Sequence, residues 1–155
     1  MKHLFFPASF FPSIGGAQGS LLNFLHCIGS DQKVFVALGV RSFLFSLTKR
    51  KNFFLTLPYF GRMIKNDGIL TLYLFILARF INPDIVWLYG GGEFAARILS
   101  LKKLFDAKTK FVVRSMGSDI QYDEASNYGT KKSSEKYKYI TKMYKRANFV
   151  WALSE

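Results

Sequence analysis

FFPASFFPSIGGAQ, residues 5–18, is the part of the chain from which the rest is best read. The run His3–Pro7, HLFFP, has the apolar continuity of a buried first β-strand. Pro7, Pro12 and Ser13 make the next segment rich in turn residues. It closes on Ile14-Gly15-Gly16-Ala17-Gln18, directly before an apolar helical pattern. A strand that feeds a glycine loop at a helix N-terminus is suited to an anion. Paired glycines let backbone N–H groups come close, and the helix dipole favours negative charge. The same residues also suit a plain glycine-rich turn from strand to helix.

Outward from this loop, QGSLLNFLHCI (18–28) sets Leu21, Leu22, Leu25 and Ile28 on one face at helical spacing, with Gly29 at the expected C-terminal cap. Ser20, Asn23 and His26 fall on the other face, so His26 reads as a solvent-side residue. Cys27 reads as a small core residue. Lys33–Leu38 (KVFVAL) is a second buried strand, and Phe53–Leu57 (FFLTL) a third, ended by Pro58. Ser42–Leu47 is apolar without a decisive period. Helical spacing then runs to Ile81, as one helix or as two parted at Asn66-Asp67-Gly68, and Asn82-Pro83 stops it.

Asp84–Tyr89 (DIVWLY) is a fourth strand. Gly90-Gly91-Gly92 follows, then the helical pattern Glu93–Phe105. Lys110–Arg114 (KFVVR) is a fifth strand and runs into Ser115-Met116-Gly117-Ser118-Asp119. Residues 121–132 are polar and read as loop. Residues 133–146 form a basic helix with Tyr137, Ile140, Tyr144 and Ala147 on one stripe, and Phe149–Leu153 (FVWAL) is a sixth strand. Strands that are continuous apolar runs, alternating with helices, belong to parallel sheets covered on both faces. The expected fold is therefore α/β: one Rossmann-like domain over residues 1–155, with an open, mainly parallel sheet and helices on both sides. In such sheets ligands bind at the carboxyl ends of the strands. The loops at 7–18, 90–93 and 115–120 all leave from such ends.

With 155 residues, half of them hydrophobic, the chain can bury a sizeable core. Its formal charge of +12 points to an anionic partner: nucleic acid, a phosphorylated substrate or an acidic membrane surface. A single cysteine excludes an internal disulfide and suits a reducing compartment. Pro7 and Pro12 interrupt the N-terminal apolar run and no small-residue cleavage site follows, so no secretory leader is read. Ile69–Phe80 is too short to span a bilayer comfortably and contains Arg79.

Several chemistries are disfavoured. Gly16-x-x-Gly19 supplies only the second half of a dinucleotide fingerprint, and no acid lies between Asp31 and Asp67 to hold a ribose. There is no phosphate-binding P-loop and no nucleophile elbow. The two histidines and one cysteine lack metal-ligand spacing. No aromatic RNA-binding motif or helix-turn-helix signature is seen, which argues against nucleic acid.

Taken in order, PSIGGAQ (12–18), PDIVWLY (83–89), FVVRSMGSDI (111–120) and ANFVWALSE (147–155) resemble the N-terminal, acceptor-side domain of GT-B glycosyltransferases of family 4. That family often shows a P-x-x-G-G-x-E loop, a P-D strand, a strand ending H-G-x-D, and an A-D-x-(apolar)-x-x-S-E strand. The ordered set covers nearly the whole chain. Gln18 stands where Glu is common, and Met116 where many members have His. The third departure is a second Rossmann-like domain, which holds the nucleotide-sugar and which these 155 residues do not include. The resemblance implies one half of a retaining glycosyltransferase of bacterial surface polysaccharide or lipopolysaccharide synthesis, inactive by itself. Its co-substrate would be a nucleotide-sugar and its acceptor a glycan or lipid-linked sugar, with no further cofactor and no metal.

By that resemblance, Gly15, Gly16 and Gln18 form the donor diphosphate loop. Gly91, Arg114, Gly117, Ser118 and Asp119 line the acceptor cleft, with Ser118 and Asp119 placing the acceptor hydroxyl. Asp119 suits a cap of the following turn equally well, and Arg114 is either a cleft cation or a surface residue closing a strand. The location implied is cytoplasmic, with peripheral attachment to the inner face of the plasma membrane open. The cations available for membrane contact are Lys49, Arg50 and Lys51 in a basic turn, and Lys138 and Lys142 on the basic helix. That helix also suits a solvated outer face. The alternative function is a non-catalytic basic module that binds a nucleotide, nucleic acid or an anionic membrane.

Overall fold

The computed structural model describes residues 1–7, 16–28, 31–39, 55–59, 66–89, 92–115, 122–123, 128–129 and 134–151. Six strands form one sheet: β1 (Lys2–Pro7), β2 (Lys33–Gly39), β3 (Leu55–Tyr59), β4 (Ile85–Tyr89), β5 (Lys110–Arg114) and β8 (Phe149–Trp151), in the order β3-β2-β1-β4-β5-β8. Every pairing is parallel. The fold is an open α/β sheet of Rossmann-like order. Strand order reverses between β1 and β4, the point at which such sheets bind ligands.

Alternation of side chains along the strands feeds two cores. On one face Leu4, Phe6, Val86, Leu88, Phe111 and Val113 meet three helices: α2 (Asp67–Ile81), α3 (Gly92–Ser100) and α4 (Glu135–Tyr144). On the other, Phe5, Val34, Val36 and Tyr89 pack against Leu21 and Leu25 of α1 (Gly16–Cys27). Trp87 and Phe24 join this smaller core, with rings 5.0 Å apart.

Several boundaries differ from the sequence expectations, each for a physical reason. Strand β3 runs through Pro58 instead of ending there, with Pro58 opposite Leu38. It is an edge strand, where a missing N–H costs no ladder bond. Asn66-Asp67-Gly68 starts α2, so no single helix runs through it: the Asn66 side chain caps the helix by accepting from the N–H groups of Gly68 and Ile69 at 3.0 and 3.1 Å. At its far end Asn82 takes a left-handed conformation, φ 46°, before Pro83.

Helix α3 stops at Ser100, short of the expected Phe105, and a 3₁₀ turn follows at Lys102–Leu104. The Ser100 hydroxyl donates to the Arg97 carbonyl at 2.6 Å, the acceptor Leu101 would have used. Leu101 N–H bonds to Ile98 instead, and the coil tightens. Within 121–132, read as loop, β6 (Tyr122–Asp123) and β7 (Tyr128–Gly129) form a short antiparallel ladder. Cys27 is exposed, not a core residue. Helical rotation puts it on the side away from Leu25, which takes the inner face with Leu21.

Candidate ligand site at the carboxyl edge of the sheet

Four adjacent strands end in one row. Pro7 pairs with Tyr89, Tyr89 with Arg114 and Arg114 with Trp151. The loops that leave β1, β4, β5 and β8 therefore start side by side. Helix α1 begins beyond β1 at Gly16, and α3 begins beyond β4 at Gly92. The two helices cover opposite faces, so the gap between their N-termini lies over the β1/β4 reversal.

Arg114 is the chemical centre of this row. It points to the α1 side and is only 6% exposed. Its guanidinium carbon lies 4.4 Å from the Tyr89 ring centroid and 5.0 Å from that of Trp151. One Nη donates to the Ser20 hydroxyl of α1 at 3.0 Å, and Tyr89 shares the same hydroxyl at 3.2 Å. The Nε–H is buried and has no hydrogen-bond partner among the described residues. Among the described residues no carboxylate pairs with it; the ion pairs there join Arg97 to Asp67 and to Glu93. Burial pushes the guanidinium pKa below its ordinary value, since low-dielectric surroundings disfavour charge. A guanidinium nonetheless stays protonated at neutral pH. The site thus holds a desolvated positive charge without a counter-ion among the described residues, at the edge where ligands enter such sheets.

The two helix N-termini differ. Gly92 N–H donates to the Tyr144 hydroxyl at 2.6 Å, so that donor is committed to α4. Gly92 also has φ +68°, a left-handed turn suited to glycine. The start of α3 is therefore occupied structurally.

Of the residues singled out from sequence, Arg114 is placed at the row described, as a buried cation and not a surface strand closer. Gly16 opens α1, and Gln18 lies in its first turn. Gly15, Gly91, Gly117, Ser118 and Asp119, and the basic turn Lys49-Arg50-Lys51, lie outside the described residues, as does the His26 side chain. Lys138 and Lys142 are exposed on α4, over the other sheet face from Arg114. Ser20, Tyr89 and Trp151 were not expected in the site. Tyr89 and Trp151, like Arg114, stand at or near the ends of apolar runs, which is the signal that marks them. No group of three or more His, Cys, Asp or Glu is placed to hold a metal ion among the described residues. No protein-family model matches the chain. No curated protein resembles it closely enough to count as a relative.

Proposed function

We propose that the chain is the acceptor-side half of a retaining glycosyltransferase that takes a nucleotide-sugar donor, working in bacterial surface polysaccharide or lipopolysaccharide synthesis. The observation that carries this reading is the buried Arg114 cation, without a counter-ion among the described residues, beside the strand reversal of a Rossmann-like sheet. Buried charges are ordinarily paired. A diphosphate or an anionic acceptor arriving at this edge would pair with that cation. The ordered sequence motifs add the rest of the site. Backbone N–H groups at Gly15 and Gly16 face the diphosphate, with Gln18 beside them. Gly91, Gly117, Ser118 and Asp119 border the acceptor. As the bond from sugar to diphosphate breaks, charge builds on the leaving group, and fixed N–H donors and a fixed cation stabilise it without reorganising.

Transfer needs donor and acceptor held together. Residues 1–155 alone are accordingly expected to bind a saccharide or lipid-linked acceptor and to turn over no nucleotide-sugar. Joined to a donor-binding domain they should transfer. In that joined enzyme Gly16→Val, which puts a branched side chain at the close-approach position, should lower the rate at least about 10²–10³-fold with little change in Tm. A variant that melts early yet works normally per folded molecule makes the glycine pair a turn and no more. Binding of RNA or free nucleotide with no saccharide binding at all would favour the non-catalytic module.

A further inference from the structure

Helix α2 is apolar on nearly every side, yet among the described residues only one side packs within the chain. Leu70, Leu74, Leu77, Ala78 and Ile81 enter the larger core. The opposite arc carries Ile69, Leu72, Phe75, Ile76 and Phe80, all exposed, Leu72 by 60% and Phe80 by 85%. The one cation on that arc is Arg79, whose guanidinium lies 5.4 Å from the Phe75 ring centroid. A helix that is apolar all round is normally buried all round. Contiguous apolar surface of this kind marks a contact with something else. Beside the stripe, an open groove of about 460 Å³ runs between α2 and the 3₁₀ turn, lined by Leu72, Phe75 and Leu104 among others.

Charge indicates what covers it. Helix α4 lies in the same layer, on the same face of the sheet, and exposes Lys138 and Lys142. Lys103, on the 3₁₀ turn, is exposed as well. A second copy of a chain carrying +12 would set like charge against like. An anionic phospholipid surface takes the apolar stripe of α2, whose Asp67 and Arg79 balance, and complements α4, where Lys136, Lys138 and Lys142 outnumber Glu135. We infer that the outer surface of this helix layer docks on an anionic membrane, with the α2 stripe in the headgroup–acyl boundary and the α4 lysines on the headgroups. This rests on the exposed residues and not on the sugar-transfer reading.

The physics is that of an interfacial helix. Fifteen residues make about 22 Å of helix, lying in the plane of the interface. Among the described residues no helix is long and apolar enough to cross a membrane. Apolar insertion and lysine attraction are two weak signals that together anchor a protein. Arg79 can extend its head to the phosphates while its stem stays on Phe75.

Co-sedimentation with vesicles of phosphatidylcholine, with and without phosphatidylglycerol, tests the inference. The chain should bind the mixed vesicles and bind pure phosphatidylcholine weakly. Leu72→Gln/Phe80→Gln should lower binding to the mixed vesicles at least about tenfold. Both side chains face outward, so Tm should hold; Phe80→Gln alone serves if the pair destabilises. Lys138→Gln/Lys142→Gln should weaken binding to the mixed vesicles only. No binding of the unaltered chain to phosphatidylglycerol overturns the inference, as does undiminished binding of a folded α2 variant. A dimer that Leu72→Gln/Phe80→Gln converts to monomer, with no vesicle binding, would make the stripe a protein interface instead.

Discussion

Arg114→Met removes the charge at the carboxyl edge while keeping a long, unbranched apolar stem. The substitution loses a charge-assisted hydrogen bond to Ser20, worth about 1.5–3 kcal/mol. It also loses two cation–π contacts, each about 1–2 kcal/mol in a desolvated setting, partly replaced by sulfur–aromatic contact. Against this, it removes a guanidinium held out of water, its Nε unpartnered among the described residues, a cost of several kcal/mol. The opposing terms are of one size. Stability should therefore change by no more than about 2 kcal/mol in either direction, a Tm shift within about 8 °C for a chain of this length. Anion affinity has no such offset. Loss of one charge-assisted contact should weaken it roughly ten- to a hundredfold. The assay is calorimetric titration with pyrophosphate, paired with thermal melting of the same samples. Arg114→Lys keeps a charge but not the planar fork that stacks on Tyr89 and Trp151, and should recover only part of the affinity. A Tm drop well beyond 10 °C, about 3 kcal/mol or more, with unchanged pyrophosphate affinity per folded molecule, would refute the reasoning and make Arg114 a strut.

Two further outcomes concern stability. Gly92→Ala meets nothing within 4 Å, so its cost is the backbone term alone at φ +68°. That is about 1–2 kcal/mol, seen as a Tm lower by roughly 2–8 °C; an unchanged melt would mean the turn relaxes freely. Asn66→Ala should cost about 1 kcal/mol in denaturant unfolding through loss of the α2 N-cap. Asn66→Asp should restore most of it and Asn66→Leu, similar in volume but unable to accept the two N–H groups, should not; equal stability of the Leu variant would refute the capping role.

The element order was legible because it rests on local signals. Continuous apolar runs marked β1, β2, β4 and β5, and Lys110–Arg114 is observed at the bounds its sequence suggests. What depended on long-range register was not legible. Arg114 could be a cleft cation or a surface closer until its neighbours were known. Those neighbours, Tyr89 and Trp151, come from strands distant in sequence. Ser20 fell on the polar side of α1 by periodicity, yet it bridges Arg114 and Tyr89. Periodicity also says nothing about which side of α2 is buried, because both sides are apolar. The run Phe149–Leu153 reads as a sixth strand, and β8 (Phe149–Trp151) is observed at an edge of the sheet with Phe149 64% exposed. Composition cannot distinguish an edge from a centre.

Among the described residues the two ends of the sheet carry different polar contacts, and the contrast bears on function. At the amino edge polar groups meet partners across strands. Lys2 N–H donates to the Asp84 carboxylate at 2.7 Å, and Asp84 N–H returns to the Lys2 carbonyl at 2.9 Å. The buried Thr109 hydroxyl donates to the Pro83 carbonyl at 2.9 Å. Asn148 opens β8 with its side chain accepting from Phe111 N–H and from Lys102. His3 is held between Trp87 and Gln32: the indole N–H can only donate, so Nδ1 accepts and Nε2 carries the proton that Gln32 takes. At the carboxyl edge the described residues instead hold a buried cation with an N–H unmet among them and, at Gly92, a left-handed turn. Local strain and unmet polar groups survive where the surrounding structure is firm enough to hold them. The amino edge fixes the strands in register, and that fixed register holds Arg114 between two aromatic rings. A ligand arriving at the other edge would then meet a charge already in place, the Arg114 side chain needing no further ordering.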